Sequence, residues 1–203
     1  MAGILQSLGR TVGAGVVLAI VLFILYYGQQ GYSGTDFGVF FFRWLHVLSG
    51  VMWIGLLWYF NFVQIPNMPN IPDDQKPAIG KVIAPAALWW FRWGAMGTIV
   101  TGLILAWMNG YIMDAIALGA TMKEPNMGIT LIGIGMWLGA IMWFNVWFVI
   151  WPNQQKALGM VEASDDEKAA SARTAMLFSR TNTLLSIPML FCMVGAQNLF
   201  KIS

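Results

Sequence analysis

The stretch Phe37-Gly38-Val39-Phe40-Phe41-Phe42-Arg43-Trp44-Leu45-His46-Val47-Leu48-Ser49-Gly50-Val51-Met52-Trp53-Ile54-Gly55-Leu56-Leu57-Trp58-Tyr59-Phe60-Asn61-Phe62-Val63 decides the fold. It carries one charged residue, Arg43, and one histidine, His46. A bilayer core of about 30 Å is crossed by roughly 20 apolar residues in a helix. This run is long enough to tilt or to extend past that core. Inside hydrocarbon the backbone must bond to itself, so a helix is the conformation open to it. Four more stretches read the same way: Thr11–Tyr27, Leu88–Met108, Gly128–Trp151 and Thr174–Phe200. The fold class is therefore all-α, an integral membrane helical bundle of about five transmembrane helices in a single domain, residues 1–203.

Composition agrees with that reading. The chain is 58% hydrophobic and 10% charged, against about 25% charged in a soluble domain. That leaves too few charges to coat a surface facing water. The formal net charge of +2 gives no reason to expect a nucleic-acid partner. Cys192 is the single cysteine. It excludes an internal disulfide, a CxxCH haem-attachment site, a CxxC redox motif and a thiolate metal cluster.

The first span follows Arg10 and ends in Tyr26-Tyr27-Gly28-Gln29-Gln30, without a small-x-small cleavage pattern. It reads as a retained anchor rather than a signal peptide. Orientation follows from the basic residues of the loops. Arg10, Lys76, Lys81, Lys156, Lys168 and Arg173 fall on one side, Lys123 and Lys201 on the other. The expectation is a multi-pass protein of the bacterial inner membrane, N-terminus cytoplasmic and C-terminus outside. Arg43, Arg92 and Arg180 lie just inside helix ends, where they can snorkel.

The connection Ile65–Ala87 holds Pro66, Pro69, Pro72, Pro77 and Pro85. It is expected to be largely irregular, with one helical turn after Pro72. Ser164-Asp165-Asp166-Glu167 is a capping box opening a short polar helix that runs toward the fifth span. Tyr111–Met122 is short and apolar and is expected in the outer interface.

Two hairpins echo each other. The second span ends Phe60-Asn61-Phe62-Val63 before Pro66-Asn67, and the fourth ends Phe144-Asn145-Val146 before Pro152-Asn153. The third opens Phe91-Arg92 and the fifth Phe178-Ser179-Arg180. A duplicated two-helix hairpin plus one N-terminal helix explains this, as does chance among segments rich in Phe and Trp. On the duplicated reading, the position matching His46 is Thr130. Gly94, Thr98 and Gly102 recur every four residues, and Gly135 and Gly139 form a GxxxG beside Ala140. Such stripes mark helix contacts.

All nine acidic residues are placed in loops by this reading, which disfavours a proton-coupled transporter. His46 lies about one-third of the way into the second span from the outer side. Arg43 precedes it by one turn and Gly50 follows by one turn. One reading makes His46 an axial ligand to haem b. Arg43 would then bond a propionate, and Gly50 would make room for the macrocycle. The other makes His46 a neutral histidine bonded to a carbonyl or polar side chain of a neighbouring helix. The chain has a single histidine, so two-histidine ligation is not available within it. A five-coordinate haem, a methionine, or a ligand from another subunit would complete the first reading.

Asn61, Gln64, Asn145 and Gln154 lie toward the inner helix ends, where amides cap or bond across helices or line a polar site. Trp58, Trp89, Trp90, Trp93, Trp147 and Trp151 form an aromatic belt at the inner boundary.

The run Phe42–Gly55, continuing through Asn61-Phe62-Val63-Gln64, resembles the membrane domain of bacterial membrane-bound urate oxidases (urate hydroxylases). Ala87–Met96 and Asn145–Gln155 do so too, and the similarity extends from about Phe40 to Pro188. The resemblance implies an inner-membrane protein tied to oxidation and electron transfer. In full-length members a cytochrome c domain follows the membrane part and takes the electrons. No CxxCH occurs here, so another protein, such as a separate cytochrome c, is expected to accept them. Three functions follow as expectations. The first is a subunit of a respiratory or oxidase complex, with or without haem. The second is an accessory membrane subunit without cofactor. The third is a urate-oxidising enzyme using a separate cytochrome c. No catalytic residue is identified by the sequence.

Overall fold

The structure is a computed structural model that describes residues 2–31 and 34–202, the side chains of residues 28 and 30 excepted. Every long element among them is helical. After a helical turn at Ala2–Leu5, α1 runs over Leu8–Gln30 and α2 over Gly34–Trp58. Ala84–Met108 forms α3, Ile112–Ile116 forms α4, and Met127–Phe144 forms α5. Trp151–Ala157 forms α6 and Asp165–Asn198 forms α7. Five helical stretches are long and apolar enough to cross a membrane: Leu8–Tyr27, Gly34–Asn70, Lys76–Met108, Met127–Ala157 and Asp165–Asn198.

The chain divides into two compact units, residues 1–40 and 41–203. Within the first, α1 buries nothing in its apolar window. Phe23 sets its ring against Phe37 at 4.4 Å and stacks on Phe40 at 5.9 Å. A helix so apolar and so little covered suits lipid as its solvent.

The second unit is a closed ring of four helical stretches. α2 packs on α3 through Ser49, Trp53 and His46 against Gly97, Gly94 and Gly102. Trp93 of α3 meets Trp147 beyond α5 edge to face at 5.5 Å. Gly135 of α5 receives Cys192 of α7. Asn61, just past α2, bonds Ser179 of α7. Neighbours in this ring are consecutive antiparallel helices, as in an up-down-up-down bundle. Its apolar centre includes Trp53, Leu57, Phe91, Met142 and Val146, all essentially inaccessible.

The connection after α2 is not the irregular loop that its prolines predict. The helix continues through a wide turn, Tyr59–Gln64, into Ile65–Asn67 and a tight turn Met68–Asn70. It resumes at Lys76–Ala78 and a second wide turn, Ile79–Ile83, leads into α3. A third wide turn, Asn145–Ile150, joins α5 to α6. At the end of each, an N–H reaches five residues back: Ile65 to the Phe60 carbonyl, Ala84 to Ile79, and Trp151 to Val146. The next residue is in each case a proline, Pro66, Pro85 or Pro152. A proline lacks the N–H of the regular ladder, and its ring collides with the carbonyl four residues back. Widening the preceding turn makes room for that ring, so the helix passes the proline instead of stopping. Irregular chain is confined to about residues 71–75.

The wide turns refine the internal echo. Tyr59–Gln64 and Asn145–Ile150 stand in one register with Pro66 and Pro152. In that register Asn67 donates to the Val63 carbonyl as Asn153 donates to Val149. It carries His46 onto Ile132, not onto Thr130 as pairing Asn61 with Asn145 would have it. The prolines fix the alignment because the wide turns are built around them.

Ser164 caps α7 with the reciprocal Glu167 bond, but the helix it opens is continuous with the fifth apolar stretch, not a separate short one. The acidic residues are not all in loops either. Asp36, Asp114, Asp165, Asp166 and Glu167 sit in first helical turns, where the helix dipole favours them.

Candidate functional site

Two polar loci stand in the second unit. The first surrounds His46. Its Nδ1 lies 2.9 Å from the Thr98 carbonyl oxygen of α3. A carbonyl only accepts, so the neutral ring carries its hydrogen on Nδ1 and keeps a lone pair on Nε2. The approach is close because Gly102 has no side chain: a Cβ there would stand 2.8 Å from His46 Cε1. Thr101 Oγ1 stands 3.4 Å from the same nitrogen while donating to the Gly97 carbonyl at 2.6 Å. The stripe Gly94, Thr98, Gly102 therefore is a helix contact, and it is the floor on which His46 rests.

Arg43, one turn before His46 on α2, pairs with no acidic side chain among the described residues. Its charge reaches Tyr111, at the start of α4. Burial pushes the Tyr111 phenol up from its ordinary range and Arg43 pulls it partly back. Nothing stands within 4 Å of where a Gly50 Cβ would be, so Gly50 borders open space. The described residues contain no group of three or more His, Cys, Asp or Glu side chains able to hold a metal ion. His46 is the single imidazole of the sequence.

The second locus is a polar seam along α7. Ser179, Asn182 and Ser186 are buried, the last two completely. Asn61 Nδ2 donates to Ser179 Oγ at 2.8 Å, and Trp58 Nε1 to Ser186 Oγ at 3.0 Å. Asn145 Nδ2 donates to Asn182 Oδ1 at 2.8 Å, and Asn182 Nδ2 to the Met142 carbonyl at 2.9 Å. Asn61 and Asn145 thus bond across helices, the plainer of the two roles open to them. In this unit Asn61 Oδ1, Gln64 Oε1 and the indole nitrogens of Trp53, Trp143 and Trp147 are buried without a partner among the described residues. Such orphans are uncommon in native interiors.

Arg92 is held against aromatic rings. Its guanidinium lies over the Trp151 ring, 3.4 Å from the centroid, with Trp147 at 5.6 Å. Its Nε donates to the Leu88 carbonyl at 3.3 Å.

The spacing of Ser179, Asn182 and Ser186, which share one helical face, would have disclosed the seam. Gly133, outside the GxxxG pair, makes a closer contact: a Cβ there would collide with the Ala115 carbonyl of α4. Of the GxxxG pair, Gly135 meets α7 while Gly139 faces nothing within 4 Å. Tyr111–Met122 packs on α5, with Thr130 Oγ1 donating to the Leu118 carbonyl and Trp137 Nε1 to Ile116.

Residues 126–201 match the family model described as urate oxidase N-terminal. The match covers α5, the third wide turn, α6 and α7, and it supports the likeness to the urate oxidase membrane domain. Of the three stretches that carry the resemblance, Asn145–Gln155 lies inside it, and His46 and Arg92 lie outside it. No curated protein and no solved structure matches the chain.

Proposed function

We propose that this chain is an integral membrane subunit of an electron-transfer or oxidase assembly, and that His46 is an axial ligand to haem b. The observation that carries the reading is the bond from His46 Nδ1 to the Thr98 carbonyl. Histidines that bind iron commonly donate their other ring nitrogen to a carbonyl, which fixes the tautomer and makes the free nitrogen a better ligand. Here that leaves Nε2 for iron. Arg43 would receive a propionate, since no carboxylate among the described residues pairs with it. Gly50, bordering open space, would admit the edge of the ring. Haem bound there would supply a one-electron carrier within the bilayer. The likeness to the urate oxidase membrane domain supports the redox setting.

The assembly would lie in a bacterial inner membrane, N-terminus inside. Other membrane subunits or a cytochrome c would accept the electrons.

An absorption spectrum of the detergent-purified native assembly, with its subunit list, tests this reading. A Soret band that is lost in His46→Gln, while helix content is retained, is the expected result. Absence of both a Soret band and any co-purifying redox partner would sink it.

The same bond supports a second reading, in which His46 is a clamp between α2 and α3 in an accessory subunit without cofactor. Its ring already has a carbonyl partner and a glycine floor. On that reading His46→Gln lowers stability but leaves the spectrum and subunit list unchanged.

A further inference from the structure

Arg92, at the Trp-rich end of the bundle, has no counter-ion among the described residues. The ion pairs among the described residues are Lys76–Asp73 and Lys168–Asp165, and neither includes it. Of its five N–H hydrogens, the Nε hydrogen goes to Leu88. The four on its Nη atoms have no acceptor among the described residues. The flat face is occupied by Trp151, which leaves the guanidinium edge as the open side. An edge of this kind offers parallel N–H pairs that match two oxygens of a phosphate. Stacking also holds the fork still, so little freedom is lost when an anion arrives.

The depth of this edge names the anion. Trp89, Trp90 and Trp93 surround Arg92 on α3 and are about half exposed. Trp107, at the other end of the same helix, is more exposed still. With a rise of about 1.5 Å per residue, Trp107 stands roughly 21 to 27 Å along the axis from these three, close to one hydrocarbon thickness. Exposed tryptophans at that separation mark the two headgroup levels. Arg92 belongs to one of them, where the abundant anion is a lipid phosphate.

We propose that Arg92, held flat on Trp151, binds the headgroup phosphate of an anionic phospholipid. The cation–π contact orients the guanidinium, and the lipid supplies the charge that no carboxylate of the described chain supplies. Lys81 and Lys156 sit in the helical connections at the same end and raise the local concentration of anionic lipid. The inference does not depend on haem or on His46.

The test uses the full chain purified in a mild non-ionic detergent. Thermal unfolding is followed while phosphatidylglycerol, phosphatidylcholine or inorganic phosphate is titrated, and native mass spectrometry counts retained lipid. Phosphatidylglycerol is expected to raise the midpoint and to remain bound, with phosphatidylcholine and inorganic phosphate much weaker. Arg92→Lys keeps the charge and the stem but loses the fork, and it should weaken the lipid response about tenfold. Trp151→Leu keeps the arginine and frees it, and should also weaken the response. Lys123→Gln, at the opposite end, should respond as the parent does. An unchanged response in both Arg92→Lys and Trp151→Leu would overturn the proposal. So would an equal response to inorganic phosphate, or retention of a protein partner through Arg92 with no lipid bound. Should either variant fail to fold, wild-type protein that retains no anionic lipid overturns it alone.

Discussion

Replacing Asn182 by leucine tests whether the buried seam holds the bundle together. Asn182 is wholly inaccessible; it accepts from Asn145 at 2.8 Å and donates to the Met142 carbonyl at 2.9 Å. Hydrogen bonds between membrane helices average about 0.6 kcal/mol and reach about 1.7. Losing two therefore costs about 1 to 3 kcal/mol. The substitution also strands the buried Asn145 N–H, at about 1 kcal/mol or more. A destabilisation of about 2 to 3 kcal/mol is expected. Asn145→Leu removes one bond and leaves the Asn182 oxygen without its donor, for about 1 to 2 kcal/mol. In the double variant neither amide is left stranded by the other. The shared bond is then lost once rather than twice and both stranding penalties vanish, so the double variant should be less destabilised than the two single variants added together, by about 2 kcal/mol or more. Reversible unfolding in mixed detergent micelles, followed by circular dichroism, measures all four proteins. Strict additivity would refute the argument, because it would mean that the two amides do not feel each other. A more stable Asn182→Leu would refute it more strongly.

Three further outcomes are expected. Gly102→Ala places a methyl 2.8 Å from His46 Cε1, so the ring must move and the bond to Thr98 must lengthen; combined with His46→Ala, the same change should cost much less, as unfolding of the pair would show. Ser164→Ala removes the reciprocal cap of α7 and should lower stability by about 1 kcal/mol, with amide exchange accelerated in the first turn. Tyr111, raised by burial and lowered by Arg43, should ionise at still higher pH in Arg43→Gln, read as a phenolate absorbance difference against Tyr111→Phe. Because its folded value is the raised one, its contribution to stability is present below the ordinary tyrosine range, near pH 10. That contribution is lost as pH rises through the folded value.

The number and position of the apolar helices were legible in the sequence because hydrocarbon leaves few choices. A run such as Phe37–Val63 has one charge and must satisfy its own backbone. The connection Ile65–Ala87 was not legible, and the reason is local. Proline rules describe a regular α-helix, in which the ring collides one turn back. They do not say that a turn can open by one residue ahead of the ring, as it does before Pro66, Pro85 and Pro152. Three repetitions make this a device of the chain rather than an accident at one site. The three share Val-x-x-Pro, at Val63–Pro66, Val82–Pro85 and Val149–Pro152, which lengthens to Phe-Val-x-x-Pro-Asn at Phe62–Asn67 and Phe148–Asn153.

The two polar loci differ in legibility for a related reason. His46 stood out because a lone histidine in an apolar run is conspicuous, and the structure gives it a partner of the kind expected. Asn182, Ser179 and Ser186 were overlooked because small polar residues are ordinary in helices. They matter only once burial is known, since an amide in contact with water costs nothing and one at zero exposure must find a partner. Arg92 lies between these cases. The sequence locates it at a helix end and suggests a side chain reaching outward for water. The fold adds what the sequence does not show: it brings Trp147 and Trp151 against the guanidinium from across the bundle. Both tryptophans lie in or beside a wide turn, and Trp151 is the residue whose N–H closes it. A regular helix through this segment would rotate Trp151 by the angle of the added residue, about 100°, and take it off the guanidinium. The turn that lets the chain pass Pro152 is therefore also what holds the indole on Arg92.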